Sequence, residues 1–224
     1  MLEYLFKPMP DGYLSSRWDN TTALIHVSFF FTVTLPLLWI SVNIDELSRV
    51  AMLYLMMGVW GEIIAITERL SPEKIPWSYL AVRREKFLYQ TLSGIALGIA
   101  VTFIGADISS FVPFTIASAT QASNLLKIYL WAYGFMAVEE SLFSQWLAAT
   151  LCEKTGLIPG ATITALVFSV FHWSLYGWNT QILISLFVFR FLGSVANAAY
   201  RSMVPSATAH VIINLLALKA LGVL

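Results

Sequence analysis

The sequence is poor in charge and almost free of cysteine. Only 12% of its 224 residues are Asp, Glu, Lys or Arg, and the formal net charge is zero. The single cysteine, Cys152, excludes an internal disulfide and any zinc site built from several cysteines. Because positive charge is not in excess, we expect no nucleic-acid partner. Residues 1–20 contain no apolar core after a basic start, so we predict no cleavable signal peptide.

Apolar residues, in contrast, make up most of the chain. The hydrophobic share is 58% and the mean hydropathy is +0.74, whereas ordinary globular domains are roughly half apolar and about a quarter charged. The composition therefore predicts an all-α, polytopic membrane helical bundle that forms a single domain over residues 1–224. A span needs about 20 mainly apolar residues, and we predict seven spans, at residues 22–42, 47–67, 87–106, 125–152, 157–173, 181–200 and 204–223. A weaker apolar stretch at 111–119 makes a total of eight spans the alternative.

Positive charge is concentrated in loops that would lie on one side of the membrane. Residues 1–20 and the loop at 68–86 carry seven Lys and Arg side chains, whereas the loops at 107–124 and 174–180 carry none. Since Lys and Arg are enriched in cytoplasmic loops, we predict a multi-pass integral membrane protein with its N-terminus in the cytoplasm.

Five polar side chains fall inside the predicted spans. They are the adjacent pair Glu139 and Glu140, then His172, and then His210 with Asn214 one helical turn later. A charge at the centre of a bilayer costs roughly 2.5–3.5 kcal/mol on insertion scales, so such residues are usually functional. Counting along each span at 1.5 Å per residue puts Glu139, His172 and Asn214 about 20 Å from the cytoplasmic end. The group can therefore meet in one layer.

These residue types are suited to activating water. A carboxylate shielded from solvent is a good general base, and a neighbouring imidazole can share the water and its proton. An imidazole and an amide spaced i and i+4 on one helix can donate hydrogen bonds to a developing oxyanion. Amide hydrolysis without a covalent intermediate or a cofactor needs these parts. Alternatively, Glu139, His172 and His210 hold a Zn²⁺ ion with an open fourth position, although the chain has no H-E-x-x-H motif.

Three motifs in these spans resemble those of the CAAX-protease and bacteriocin-processing (CPBP or Abi) family of intramembrane proteases. The family pattern combines Glu-Glu-x-x-x-Arg, Phe-x-x-x-His and His-x-x-x-Asn (or Asp) on successive membrane helices. Here the motifs are Glu139-Glu140-Ser-Leu-Phe-Ser144, Phe168-Ser-Val-Phe-His172 and His210-Val-Ile-Ile-Asn214. The resemblance covers about 90 residues and keeps the order of the motifs.

The resemblance implies a role for each matching position. Glu139 would activate the attacking water together with His172, and Glu140 would support the site. His210 and Asn214 would form the oxyanion hole. The implied substrate is a membrane-associated or prenylated protein or peptide, because prenyl-protein endopeptidases of the family remove the last three residues of prenylated CAAX proteins.

The predicted spans fall into two groups within the single membrane domain. Residues 22–106 would supply N-terminal helices, and residues 125–224 would form the catalytic core helices. Membrane lipid would be a further partner, and we expect the protein in a prokaryotic cell membrane.

One position departs from the family pattern. The family Arg, four residues after the second Glu, is replaced by Ser144. Arg190 lies in the middle of the sixth predicted span, where an unpaired cation would be costly. We therefore predict that Arg190 forms an ion pair with Glu140 or with Glu139.

Two other classes of function stay open from the sequence. A proton-coupled transporter can use buried acids as a relay, although such proteins often show internal repeats and broken helices, which we do not find here. A non-catalytic scaffold or immunity protein that keeps the protease fold is supported by Ser144 alone.

Overall fold

A computed structural model of the chain describes residues 2–10, 13, 86–104 and 136–222, and all regular structure in these residues is helical. The predicted all-α fold class is therefore confirmed. The first two predicted spans and the stretch at 111–119 lie outside the described residues. A short 3₁₀ turn, Leu2–Tyr4, precedes α1 (Phe87–Thr102). The remaining elements are α2 (Met136–Glu139), a π-helical segment (Glu140–Ala148), α3 (Ala149–Thr155), α4 (Leu157–Tyr176), α5 (Thr180–Tyr200) and α6 (Val204–Ala220).

Turn residues set the ends of the later helices. Gly156 has a φ of 97° between α3 and α4, and Gly177 has a φ of 59° just after α4. Both values favour glycine because a side chain would be strained there. The Asn179 side chain caps α5 by accepting a hydrogen bond from the Ile182 N–H at 3.3 Å. Pro205 lies in the first turn of α6, where its missing N–H costs nothing.

The helix bounds differ from the predicted spans by a few residues. α1 ends at Thr102 rather than at 106, α4 continues to Tyr176 rather than 173, and α6 ends at Ala220 rather than 223. Within the described part of the chain, α5 is the one helix both long and apolar enough to cross a membrane by length and composition. Three shorter apolar helices accompany it, at Phe87–Thr102, Leu157–Trp173 and Val204–Ala220.

Two glycines allow α1 to pack closely against α6. A Cβ atom added at Gly94 would lie 2.5 Å from the Pro205 carbonyl oxygen, and one added at Gly98 would lie 2.9 Å from the Ala209 carbonyl oxygen. The Gly-x-x-x-Gly spacing puts both on one face of α1 and lets the two backbones approach, as is common between membrane helices. α1 therefore packs directly against the helix that carries His210.

The N-terminal residues pack against the turn between α3 and α4. The Met9 N–H donates to the Glu153 carbonyl at 2.8 Å, and the Ile158 N–H donates to the Leu5 carbonyl at 2.9 Å. The Met9 side chain is buried against Cys152 and its neighbours. Residues 2–10 therefore lie at the same end of the bundle as the α3–α4 turn.

Candidate active site

The two adjacent glutamates lie at the junction between α2 and the π-helical segment. Glu139 is the last residue of α2 and Glu140 is the first of the π segment, and their exposed fractions are 2% and 0%. Consecutive residues on a helix point about 100° apart, so the two carboxylates reach different neighbours. A π segment is rare and occurs frequently at functional sites, and this one begins at the predicted site.

Glu139 faces both histidines. Its Oε2 atom lies 3.5 Å from the His172 Nε2 atom and 3.5 Å from the His210 Nε2 atom. All three side chains are buried. Residues from α2, α4 and α6 thus meet around one carboxylate oxygen, and the predicted clustering of these positions is present in the structure.

The ring of His172 is oriented by its own helix. Its Nδ1 atom lies 2.8 Å from the Phe168 carbonyl oxygen, one turn earlier on α4. A carbonyl oxygen only accepts hydrogen bonds, so Nδ1 carries the proton and Nε2 of the neutral ring has a free lone pair. The Phe168 ring packs against the imidazole with a centroid distance of 4.2 Å. His172 therefore presents a basic nitrogen to Glu139.

Glu140 is held by donors from its own π segment, from α5 and from α6. Its Oε1 atom accepts from Arg190 Nη2 at 2.6 Å and from His210 Nδ1 at 2.9 Å. Its Oε2 atom accepts from the Ser144 and Ser206 hydroxyls, both at 2.6 Å, and from Arg190 Nη1 at 3.2 Å. Such charge-assisted, bidentate contacts are among the strong hydrogen bonds of proteins. The Glu140 carboxylate is thus fixed as an anion.

Arg190 is fully buried, with an exposed fraction of 0%. Its guanidinium carbon lies 4.4 Å from the centroid of the Phe168 ring and 4.9 Å from that of the Phe189 ring. Aromatic faces attract a cation that has been removed from water. Of the two ion pairs considered from the sequence, the structure forms the one with Glu140.

Ser144, at the position of the family Arg, belongs to the same network. Its hydroxyl donates to Glu140 and accepts a hydrogen bond from Arg190 Nη1. The cation therefore comes from α5 instead of from the π segment, and the side chain at position 144 is small enough to admit it. This arrangement keeps a positive charge beside Glu140.

Asn214 and Ser206 share one face of α6 with His210. Ser206 lies four residues before His210 and Asn214 lies four residues after it, so the three residues form a stripe along the helix. All three are buried. The sequence reasoning included Asn214 but missed Ser206, which extends the same spacing by one turn towards the start of α6. It also missed Asn197, which lies seven residues after Arg190 on α5 and bonds to Ser206 at 2.7 Å.

The same side chains were considered as zinc ligands. Among the described residues, no group of three or more His, Cys, Asp or Glu side chains is arranged to hold a metal ion. The zinc alternative for Glu139, His172 and His210 therefore stays a prediction for experiment, and we derive no reaction step through zinc.

A comparison with protein families identifies the C-terminal part of the chain. Residues 121–216 match the family model described as type II CAAX prenyl endopeptidase Rce1-like. This range contains all three motifs and Arg190. No curated protein and no solved structure matches the chain. The family consists of membrane-embedded proteases that act on proteins or peptides, and the resemblance inferred from the three motifs is confirmed. Residues 121–216, which contain the site, are therefore similar to the type II CAAX prenyl endopeptidase family.

Proposed function

We propose that this protein is an intramembrane endopeptidase that cleaves a membrane-associated or prenylated protein or peptide with water activated by Glu139 and His172. One observation carries the proposal. A buried carboxylate oxygen of Glu139 lies 3.5 Å from two imidazole nitrogens, while the adjacent Glu140 is neutralised by Arg190. The site thus separates one available carboxylate from one that is fully engaged.

Glu139, rather than Glu140, is the base in this mechanism. Arg190, His210 and two serine hydroxyls occupy both oxygens of Glu140. Glu139 Oε2 accepts no hydrogen bond from the residues that the structure describes. A water placed between this oxygen and His172 Nε2 has an acceptor on each side, which orients its lone pair towards the substrate.

The hydrolysis then proceeds in two steps. The water oxygen attacks the carbonyl carbon, its proton passes to the Glu139–His172 pair, and a tetrahedral oxyanion forms. The proton then passes to the leaving nitrogen as the C–N bond breaks, giving an amine and a carboxylic acid, which releases its remaining proton to become the carboxylate. Asn214 donates an amide N–H to the oxyanion. His210 Nδ1–H donates to Glu140, so His210 can donate to the oxyanion through Nε2 only when both of its ring nitrogens carry a proton.

The structure weakens the main argument for a non-catalytic scaffold. That alternative was supported only by the loss of the family Arg at Ser144, and Arg190 provides the cation from another helix. A proton-coupled transporter has no observation in its favour among the described residues beyond the buried acids themselves.

The proposal is tested by a cleavage assay with purified protein in proteoliposomes. Peptides ending in a CAAX sequence, prenylated or not, are incubated with the protein and the products are identified by mass spectrometry. We expect one cut, with preference for the prenylated peptide. Glu139→Ala and His172→Ala should each lower the rate about 100-fold or more, because general-base catalysis contributes that much. Ser185→Ala, which removes a buried hydroxyl bonded to its own helix at 2.9 Å, is the matched control.

Two results would contradict the proposal. Cleavage that survives both substitutions would show that other residues activate the water. Loss of cleavage on treatment with a chelator, followed by recovery with Zn²⁺, would favour the zinc alternative. We expect the chelator to have no effect.

A further inference from the structure

Asn197 and Ser206 form a two-point contact between α5 and α6. The Asn197 Nδ2 atom donates to the Ser206 hydroxyl oxygen at 2.7 Å, and the Ser206 backbone N–H donates to Asn197 Oδ1 at 3.1 Å. Ser206 is fully buried, and its hydroxyl lies 2.6 Å from Glu140 Oε2. Neither residue belongs to the three family motifs. An amide on α5 therefore contacts the Glu140 carboxylate through one serine.

The Ser206 hydroxyl has one proton and several acceptors within reach. Besides Glu140 Oε2, they include the Met203 carbonyl oxygen at 3.2 Å and the Ser144 hydroxyl at 3.1 Å. The Asn197 amide occupies a lone pair of the Ser206 oxygen, because an NH₂ group can only donate. The hydroxyl proton must therefore point away from Asn197, and the shortest contact left for it is the one to Glu140.

We propose that Asn197 is a positioning residue that acts through Ser206 on Glu140 and, through Glu140, on His210. Glu140 Oε1 accepts from His210 Nδ1 at 2.9 Å, and His210 Nε2 faces Glu139. The orientation of the Glu140 carboxylate therefore sets which nitrogen of His210 faces the reacting atoms. The effect on catalysis rests on the proposed function, whereas the effect on His210 does not.

Asn197→Asp and Asn197→Ala separate this role from simple packing. Aspartate has nearly the shape of asparagine but only accepts hydrogen bonds, so it draws the Ser206 proton away from Glu140 and adds a negative charge nearby. Alanine leaves the Ser206 hydroxyl free to keep donating its hydrogen bond to Glu140. We therefore expect the aspartate variant to be the more damaging of the two. A packing role predicts the reverse, because aspartate fills the space and alanine does not.

The kinetic effect should fall on kcat and leave KM unchanged, because Asn197 does not contact the reacting atoms. With a prenylated CAAX peptide as the probe, we expect kcat to fall about 10-fold for Asn197→Ala and about 100-fold for Asn197→Asp, as for other small misplacements of catalytic groups. In a Ser206→Ala background the two substitutions should become equivalent, because the hydroxyl that connects them to Glu140 is absent. Ser185→Ala is again the matched control.

A spectroscopic measurement tests the same inference without any substrate. The chain contains three histidines, so ¹⁵N-histidine labelling gives three ring spectra, which His26→Gln and His172→Gln assign. In the wild type we expect the His210 Nδ1 atom to be protonated and hydrogen-bonded. Its signal should shift strongly in Asn197→Asp, weakly in Asn197→Ala and not at all in Ser185→Ala.

The outcomes distinguish the two proposals. A wild-type protein that cleaves no peptide but shows the expected His210 shifts would overturn the proposed function and support the positioning role. A His210 signal that is the same in Asn197→Asp as in the wild type would overturn the positioning role, whatever the activity. A larger loss of kcat in the alanine variant than in the aspartate variant would overturn it as well.

Discussion

Two neighbouring carboxylates in this protein occupy opposite environments. Glu140 receives hydrogen bonds from an arginine, a histidine and two serines. Glu139, one residue earlier, faces two imidazole nitrogens at 3.5 Å, and its Oε2 atom accepts no hydrogen bond from the described residues. The same chemical group is therefore a fixed structural anion at one position and an available base at the next. Environment alone separates the two roles, as it does in other paired-carboxylate sites.

The difference has an energetic reason. Burying a charge is costly unless it is paired and hydrogen-bonded, and Glu140 meets that condition with a bidentate arginine partner. The ion pair with Arg190 thus offsets the cost of burying Glu140, whereas Glu139 lies beside two imidazoles and no arginine.

We expect the largest effects when each of the two carboxylates is substituted on its own. Glu139→Gln should lower the cleavage rate by about 10²–10⁴-fold, because the base is removed, and should leave the unfolding temperature near that of the wild type. Glu140→Gln should lower the unfolding temperature strongly, because Arg190 loses its anionic partner. Cleavage of a prenylated CAAX peptide and thermal unfolding in detergent measure the two effects. If both variants changed both quantities equally, the division of roles would be wrong.

Removing the cation should destabilise the Glu140 side specifically. Arg190→Met leaves Glu140 buried without a counter-charge and should reduce the free energy of unfolding by about 3–5 kcal/mol. The double variant Arg190→Met with Glu140→Gln removes both charges and should recover much of that loss. Unfolding by titration with a denaturing detergent measures the change.

The double variant also provides the control. If Arg190→Met and the double variant were equally unstable, Arg190 would stabilise the bundle by its packing between Phe168 and Phe189 and not through its charge. Ser144→Ala, which removes one hydroxyl from Glu140 and leaves the ion pair in place, should have a much smaller effect than either.

The sequence was sufficient to predict which motif residues meet. Glu139, His172 and His210 each lie in the interior of an apolar segment, where a polar group is costly without a partner, and their depths can be counted along a helix. The same cost predicted that Arg190 has an acidic partner. The choice of Glu140 over Glu139 could not be predicted, because it depends on the rotation of the helix at the start of the π segment.

The supporting residues were harder to find. Serine and asparagine are common in helices and carry no charge, so Ser206 and Asn197 produced no energetic signal. Their spacing was informative only in retrospect. Ser206 continues the stripe of His210 and Asn214 by one turn, and Asn197 follows Arg190 by two turns. Helix ends were predicted within a few residues, because a hydropathy pattern does not identify the residue at which backbone hydrogen bonding stops.

We expect the smallest effect from Gly94→Ala, which should disturb the surroundings of both carboxylates together. α6 carries Ser206, which contacts Glu140, and His210, which contacts both carboxylates. Gly94→Ala would place a methyl group 2.5 Å from the Pro205 carbonyl oxygen, so α6 must shift away from α1. Overpacking of this kind costs about 1–3 kcal/mol. We therefore expect a moderate fall in unfolding temperature and a parallel fall in cleavage rate, unlike the separate effects of the two glutamate substitutions.

The control is Ala96→Val, which adds bulk to an exposed position of α1. It should change neither quantity, because Ala96 does not lie on the face that carries Gly94 and Gly98. A Gly94→Ala protein of lower stability but full activity would show that the position of α6 is not critical for His210. In that case the orientation of His210 would depend on the Glu140 network alone, and the contrast between the two carboxylates would be sharper still.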